Sequence, residues 1–246
     1  MMVSTSGVVI KETKLNESDK ILTFLTADGI MQAVAKRCRN TKSKLQSGAN
    51  LFCFSEFTLQ KGKGELSYIT ELTCIESFYG LRHDIEKVSL AVYFADLLNL
   101  VCVKEDSTTI LKLFLNTLYY LVKYDNIFKV KSVFEFKLAV FLGFTPNLTS
   151  CNYCGDSNAI NHFDDKSGIF SCDSCSVGMK FSQATLNALE YVLEADLKKI
   201  FSFEISSDVL SEFSAVTENY LCNQLGRYLD SLKYFKEICY SSKKLL

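Results

Sequence analysis

One proline, two histidines and no tryptophan occur in 246 residues. The scarcity of proline leaves long helices and strands uninterrupted. With only His83 and His162, neither in a context that favours catalysis, a histidine-based catalytic centre has few parts to be built from. Neither a GxxxxGK[ST] loop nor a GxGxxG turn occurs, which excludes the usual engines of nucleotide hydrolysis. ESDK, residues 17–20, sets two carboxylates beside a serine but lacks the base and nucleophile pair of a hydrolase. No apolar run reaches the ~18 residues of a membrane helix. The start, MMVSTSGVVIKET, has no basic stretch followed by an apolar one, so no export signal is read there. The expectation is a cytoplasmic protein with reduced thiols, whose ten cysteines are metal ligands or small buried side chains rather than a disulfide framework.

What is present is a globular composition, 48% apolar, with a net charge of −1. The charge is uneven. Residues 1–78 sum to +2 and residues 79–246 to −3. Anion binding must therefore come from a local patch and not from bulk charge.

Residues 1–78 read as strands. GVVIKE, KILTFLT, MQAVAK, LFCFSEFTLQK and ELSYITELTCIES are short and rich in β-branched and aromatic residues. Turns are marked at Asp28-Gly29, Gly48-Ala49-Asn50 and Gly62-Lys63-Gly64. In LFCFSEFTL the apolar positions are Phe52, Phe54 and Leu59, broken by Ser55 and Thr58. Five such segments suit a five-stranded OB-fold barrel. Past residue 80 the apolar period changes to three and four, which predicts helices over VSLAVYFADLLNLVCV, STTILKLFLNTLYYLVKY and KSVFEFKLAVFLGF. Asp106-Ser107 is expected to cap the second, and Gly143 with Pro146 to close the third. A fourth helix opens on Ser182, and one long helix is expected over DVLSEFSAVTENYLCNQLGRYLDSLKYF. The organisation is α+β in two parts: a barrel at 1–78 and a helical domain at 79–246.

Between the third and fourth helices stand two CxxC pairs, Cys151 with Cys154 and Cys172 with Cys175, at zinc-ribbon spacing. Two tight turns, each giving two thiolates, make a tetrahedral site with no open position, hence one structural Zn2+ in an insertion at about 148–180. The bland alternative is four loop thiols without metal. His162, inside the same loop, is expected at the surface rather than on the metal.

Lys36, Arg37, Arg39, Lys42 and Lys44 put five cations into nine residues, and no Asp or Glu falls between Asp28 and Glu56. The segment is mixed with Asn40, Thr41, Ser43, Gln46 and Ser47, short polar groups able to donate to phosphate oxygens. Lys61 and Lys63 on the last barrel turn extend the patch, or simply solvate a hairpin tip. Among Phe24, Phe52, Phe54, Phe57 and Tyr68, one or two are expected to be exposed for base stacking and the rest to fill the barrel. A solvated surface loop is the competing reading.

On these residues the sequence resembles the bacterial RecO recombination-mediator family over nearly its whole length. The N-terminal run from Gly7 to Asp84, GFTPNLTSCNYCG with SGIFSCDSC, and LGRYLDSLKYF carry the resemblance. It implies an OB-fold on a helical domain with a zinc ribbon, and a protein that is not an enzyme. It also implies binding of single- and double-stranded DNA without sequence specificity and annealing of complementary strands. The implied partners are RecR, the C-terminal tail of single-strand-binding protein and, indirectly, RecA, with no membrane. By the same resemblance DNA is met by Lys36, Arg37, Arg39, Lys42, Ser43 and Lys44, and metal by Cys151, Cys154, Cys172 and Cys175. Arg227 and Lys233 on the last helix are candidates for meeting a protein partner. The sequence departs from the family at Arg37, where glycine is usual, and at Tyr228 and Asp230, where proline and a basic residue are common. The alternatives are a zinc-stabilised scaffold whose basic loop binds an acidic protein, and a zinc enzyme with an open coordination position.

Overall fold

A computed structural model describes residues 2–40, 42–62, 64, 66–101, 107–157 and 160–244. Thr41, Lys63, Cys102 and the expected cap Asp106 lie outside the described residues. The first strands are β1 (Met2–Lys14), β2 (Lys20–Thr26), β3 (Gly29–Ala35), β4 (Phe54–Gln60) and β5 (Ser67–Glu76). They close into a barrel in the order β1-β2-β3-β5-β4. All neighbours are antiparallel except β3 and β5, which pair in parallel through Ala33 with Ser67 and Val34 with Tyr68. This is the OB-fold the strand count anticipated. Val9, Leu22, Phe24, Ala33, Phe57, Leu59 and Ile69 fill the interior. Phe24 and Phe57 stack at 4.1 Å between ring centroids, 9° from parallel.

In β4 the phase differs from the sequence reading. Ser55, Phe57 and Leu59 point inward, while Phe54 is only half-buried. Ser55 is tolerated inside because its hydroxyl donates to Gly48 O at 3.2 Å. Leu51 to Cys53 are not strand. Phe52 takes a left-handed conformation, φ 66°, and its N–H reaches back to Val9 O at 2.8 Å.

Helices follow: α1 (Ile85–Val101), α2 (Ser107–Lys123), α3 (Ile127–Phe141), α4 (Gln183–Glu194), α5 (Ser207–Leu225) and α6 (Asp230–Lys244). The single long terminal helix expected from the pattern is two. Gly226, φ 62°, stops α5 in a left-handed cap, with Arg227 N donating to Cys222 O at 3.3 Å, and the chain restarts at Asp230. Among the described residues no helix is long and apolar enough to cross a membrane.

Packing divides the chain into two compact units. Met1–Val122 with Leu229–Leu246 form one, and Lys123–Tyr228 the other. The strand-to-helix change at residue 78 and the packing boundary thus fall in different places: α1, most of α2 and α6 share a unit with the barrel. In that unit α1 packs on α6 and touches β1, and Thr108 Oγ1 donates to Ala27 O in the β2–β3 turn at 3.2 Å.

In the second unit α3, α4 and α5 pack together beside a three-stranded sheet of β6 (Ile160–Asp164), β7 (Ile169–Cys172) and β8 (Met179–Lys180), ordered β7-β6-β8. Charged side chains hold α4 at both ends. Glu212 of α5 accepts from Ser182 N, Ser182 Oγ and Thr185 Oγ1 at 2.6–2.8 Å, placing a carboxylate at the positive end. Lys137 of α3 donates to Val192 O, Leu193 O and Ala195 O at 2.9–3.1 Å, placing an ammonium at the negative end.

Between α3 and α5 lies a buried ion triad. Lys131, 1% exposed, bridges Glu135 at 2.9 Å and Glu218 at 2.8 Å. Burial opposes the charge on Lys131, but the two carboxylates outweigh it and hold its pKa above the ordinary lysine value. Lys131→Met removes the cation between two carboxylates and is expected to cost about 3–5 kcal/mol, seen as a lower urea midpoint. Without the cation, one carboxylate has its pKa raised above the unfolded value, so the destabilisation grows as pH rises through that range. The loss should therefore be smaller at pH 5 than at pH 8, and an equal loss at both contradicts the ionic account.

Candidate functional site

The chain leaves β3 at Ala35 and must cross the barrel end, because β4 pairs with β1 and not with β3. The crossing segment, residues 36–53, carries the five cations. Its underside is apolar: Cys38 and Ala49 are buried in the barrel core and Leu45 packs against it. Its outside is charged, with Lys36, Arg37, Arg39, Lys42 and Lys44 all exposed. Among the described residues none of these five forms an ion pair. The side chains of Arg37, Lys42 and Lys44 make no hydrogen bond there either. Ser43 is half-buried, and its hydroxyl accepts from Leu45 N at 3.3 Å, which shapes the turn.

The β1–β2 turn anchors this segment. Asn16 Oδ1 accepts from Ser18 N at 2.9 Å and Asp19 N at 2.8 Å, an Asx turn. Asp19 Oδ1 then accepts from Arg37 N at 2.7 Å, and Ser18 O from Arg39 N at 3.1 Å. Arg39 Nη1 reaches Asn16 O at 3.3 Å. The N–H of Arg37, with help from Asn16 and Ser18, holds the Asp19 carboxyl below its usual range, and Lys36 adds to this. Arg37 has φ 53°, the left-handed region that favours glycine. The turn that glycine would make is thus kept, at a cost of roughly 1 kcal/mol, by a side chain that adds a cation.

Lys36 and Lys61 come to the same end of the barrel. Val34, two residues before Lys36, pairs with Tyr68, and Tyr68 pairs on its other side with Gln60, the residue before Lys61. Lys36 Nζ lies 4.1 Å from the Tyr68 ring centroid. Phe24 and Phe57 are wholly buried, Phe52 nearly so, and Tyr68 is the exposed ring of the five. Sequence reasoning missed Asp19 and Asn16, whose partners lie across the fold. The only local trace was the Asn-x-x-Asp spacing of a turn.

In the second unit the four cysteines meet. The sulfurs of Cys151, Cys154, Cys172 and Cys175 all lie within 4.8 Å of one another. Cys154 Sγ and Cys172 Sγ are 3.7 Å apart, close to the edge of about 3.8 Å for a tetrahedron with 2.3 Å metal–sulfur bonds. Each CxxC closes on a left-handed residue: Gly155, φ 76°, donates to Cys151 O at 2.8 Å, and Ser176, φ 54°, to Cys172 O at 2.9 Å. Burial opposes ionisation of Cys151, but the N–H groups of Cys154, Cys172 and Tyr153 outweigh it and bring its pKa down to about 6. Cys175 is pushed up to about 12 by its neighbours Cys154 and Cys151. The Cys151 thiolate is favoured while those of Cys154 and Cys175 are disfavoured by their neighbours, and a bound cation would offset that repulsion. The residues fit a closed four-sulfur metal site, with no position for a water ligand. His162 is not at the surface as expected. It is 5% exposed, with Nδ1 2.7 Å from Asn161 Oδ1 and Nε2 3.4 Å from Ser176 Oγ. Sheet pairing explains this, because His162 lies between Ser171 of β7 and Lys180 of β8. Arg227 is not on the last helix as expected: it lies exposed between α5 and α6, in the second unit, because Gly226 ends α5, while Lys233 is exposed on α6 of the first.

Loading the chain with Cd2+ is expected to give one equivalent bound, with a sulfur-to-metal charge-transfer band sized for four thiolates. Cys175→Ser should reduce the band to three. A wild-type band sized for two or three thiolates contradicts the closed site.

Two family models match the chain: Recombination protein O N terminal over residues 1–78, and Recombination protein O C terminal over residues 82–233. A DNA repair protein RecO from Acetivibrio thermocellus is 34% identical over 244 residues, covering 96% of this chain and 97% of the relative. Those from Caldicellulosiruptor saccharolyticus and Alkaliphilus metalliredigens are 30% and 31% identical, covering 96% and 97% of this chain and 98% and 100% of theirs. With both models spanning nearly all of its length and relatives aligned end to end, the chain belongs to the recombination protein O (RecO) family.

Proposed function

We propose that the chain is a recombination mediator that binds single- and double-stranded DNA without reading sequence and anneals complementary strands. With RecR, it helps to load RecA onto DNA coated by single-strand-binding protein. Family membership carries the role in DNA repair. The observation that carries the finer reading is the crossing segment 36–44: five exposed cations, anchored from below and without ion-pair partners among the described residues.

The action is stoichiometric and electrostatic, with no catalytic turnover. Two complementary strands repel through their phosphates. Cations that screen both strands lower the cost of approach, and base pairing then drives the union. Arg37 and Arg39 grip phosphate oxygens through planar forks, while Lys36, Lys42, Lys44, Lys61 and Lys63 act as point charges. Ser43 shapes the turn and offers a hydroxyl.

The OB module, residues 1–78, serves DNA. The helical part, residues 79–246, serves protein partners, with Arg227 and Lys233 meeting RecR or the acidic tail of single-strand-binding protein. One structural Zn2+ on Cys151, Cys154, Cys172 and Cys175 supplies the cross-link that holds the β6–β8 region in shape. The work takes place in the cytoplasm, at the nucleoid.

If phosphate neutralisation by the five cations of segment 36–44 sets affinity, log K for a single strand falls with log salt at a slope of about −3.5, at about −0.7 per contact, and any contact by Lys61 or Lys63 steepens it. Arg37→Glu with Arg39→Glu should abolish oligonucleotide binding and strand annealing at moderate salt. A flat salt response in the wild type overturns the proposal. Intact DNA binding in the double variant, with loss of an acidic protein partner, favours the scaffold reading.

A further inference from the structure

We propose that Tyr68 is a stacking platform for one unpaired base, kept covered by Lys36 until a phosphate draws the ammonium away. The inference rests on the reading of segment 36–44 as a DNA-backbone site and names what that site does with a base.

Three observations place the ring. Tyr68 belongs to an outward row set by register, in which Ile21 pairs with Val34 and Val34 with Tyr68. Val34 is buried, whereas Tyr68 remains 36% exposed. The ring is seated against backbone on one side: a Cβ added at Gly62 would lie 2.9 Å from Tyr68 Cε2 and 2.5 Å from Leu66 O. Gly62 therefore lets the backbone at that position pass close to the ring edge, and a side chain there would displace it. Lys36 Nζ sits over the ring at 4.1 Å from its centroid.

The cover is held weakly. The lysine stem is flexible and its head is strongly hydrated. An exposed cation–π contact is weaker than the stack of a base on an aromatic ring. A phosphate arriving at the crossing segment offers the ammonium a charged acceptor instead, which turns Lys36 off the ring toward the backbone. The uncovered face then meets the adjoining base. Both contacts, phosphate with Lys36 and base with Tyr68, come from one stretch of strand and are compatible only when that base is unpaired. Bases inside a duplex are already stacked, so the platform favours single strands. A base held on Tyr68 is released to its complement when annealing completes.

The test compares an oligothymidylate with an abasic oligonucleotide of the same length and charge, using the full chain and fluorescence anisotropy. The wild type is expected to bind the thymidylate about tenfold more tightly, the worth of one stacked base. Tyr68→Phe should keep that ratio. Tyr68→Leu should bring it to one by weakening the thymidylate alone, with the salt slope unchanged. Equal wild-type binding of both oligonucleotides, or a ratio that survives Tyr68→Leu, overturns the platform while leaving the backbone site standing. Failure to bind either oligonucleotide at low salt overturns the backbone site, and the platform with it.

Discussion

Two residue pairs between parallel strands, Ala33 with Ser67 and Val34 with Tyr68, close the barrel. Closure removes the free edges that an open five-stranded sheet would expose. It also dictates where the function sits. Because β5 takes the place beside β3, β4 must go to β1, and the chain has to cross the barrel end between Ala35 and Phe54. That crossing is too long to be a tight turn and too close to the core to be entirely polar. Cys38, Leu45 and Ala49 tie it to the barrel interior, while Arg39, Asn40, Lys42, Lys44, Gln46 and Ser47 face solvent. The same pairing sets Lys36 beside Tyr68, so the cationic segment and the exposed ring are neighbours for one reason.

The chain treats its charges in two opposed ways. In the second unit Lys131 is fully buried and matched by Glu135 and Glu218, and Lys137 and Glu212 are spent on the two ends of α4. Those groups specify how helices meet. In the first unit the five cations of the crossing segment are exposed, and the carboxylate of Asp19 binds a backbone N–H instead of a cationic head. Asp19 therefore fixes the shape of the segment without forming an ion pair with its cations. A net charge of −1 hides both arrangements, which is why bulk charge says little about what this protein binds.

Much of this was legible in the sequence, and the failures share a cause. The strands of the barrel showed in their composition and turns, and the α3 and α4 helices in their period and caps. The four cysteines showed in a spacing that leaves few other readings. What depended on contacts between distant residues did not show. Nothing in MQAVAK or ELSYITELT says that β3 will pair with β5. Asp19 looked like half of a weak carboxylate pair until its partner, Arg37 N, was in place. The phase of β4 was misread because Ser55 counts as polar by composition, and only Gly48 O makes it acceptable inside. The terminal helix was read as one because its apolar period continues through Gly226. Backbone conformation, not side-chain pattern, breaks it there. His162 was misplaced because burial in a small sheet is set by neighbours that sequence distance conceals.

The central claim is that the exposed cations of segment 36–44 lie against the phosphates of bound DNA. Lysine footprinting measures this directly: the full chain is acetylated with and without a single-stranded oligonucleotide, and each lysine's reactivity is read by mass spectrometry. The account predicts strong protection of Lys36, Lys42 and Lys44, with Lys166, Lys198 and Lys199 of the second unit unchanged. Protection confined to the second unit, with Lys36, Lys42 and Lys44 reacting as in the free protein, would contradict it.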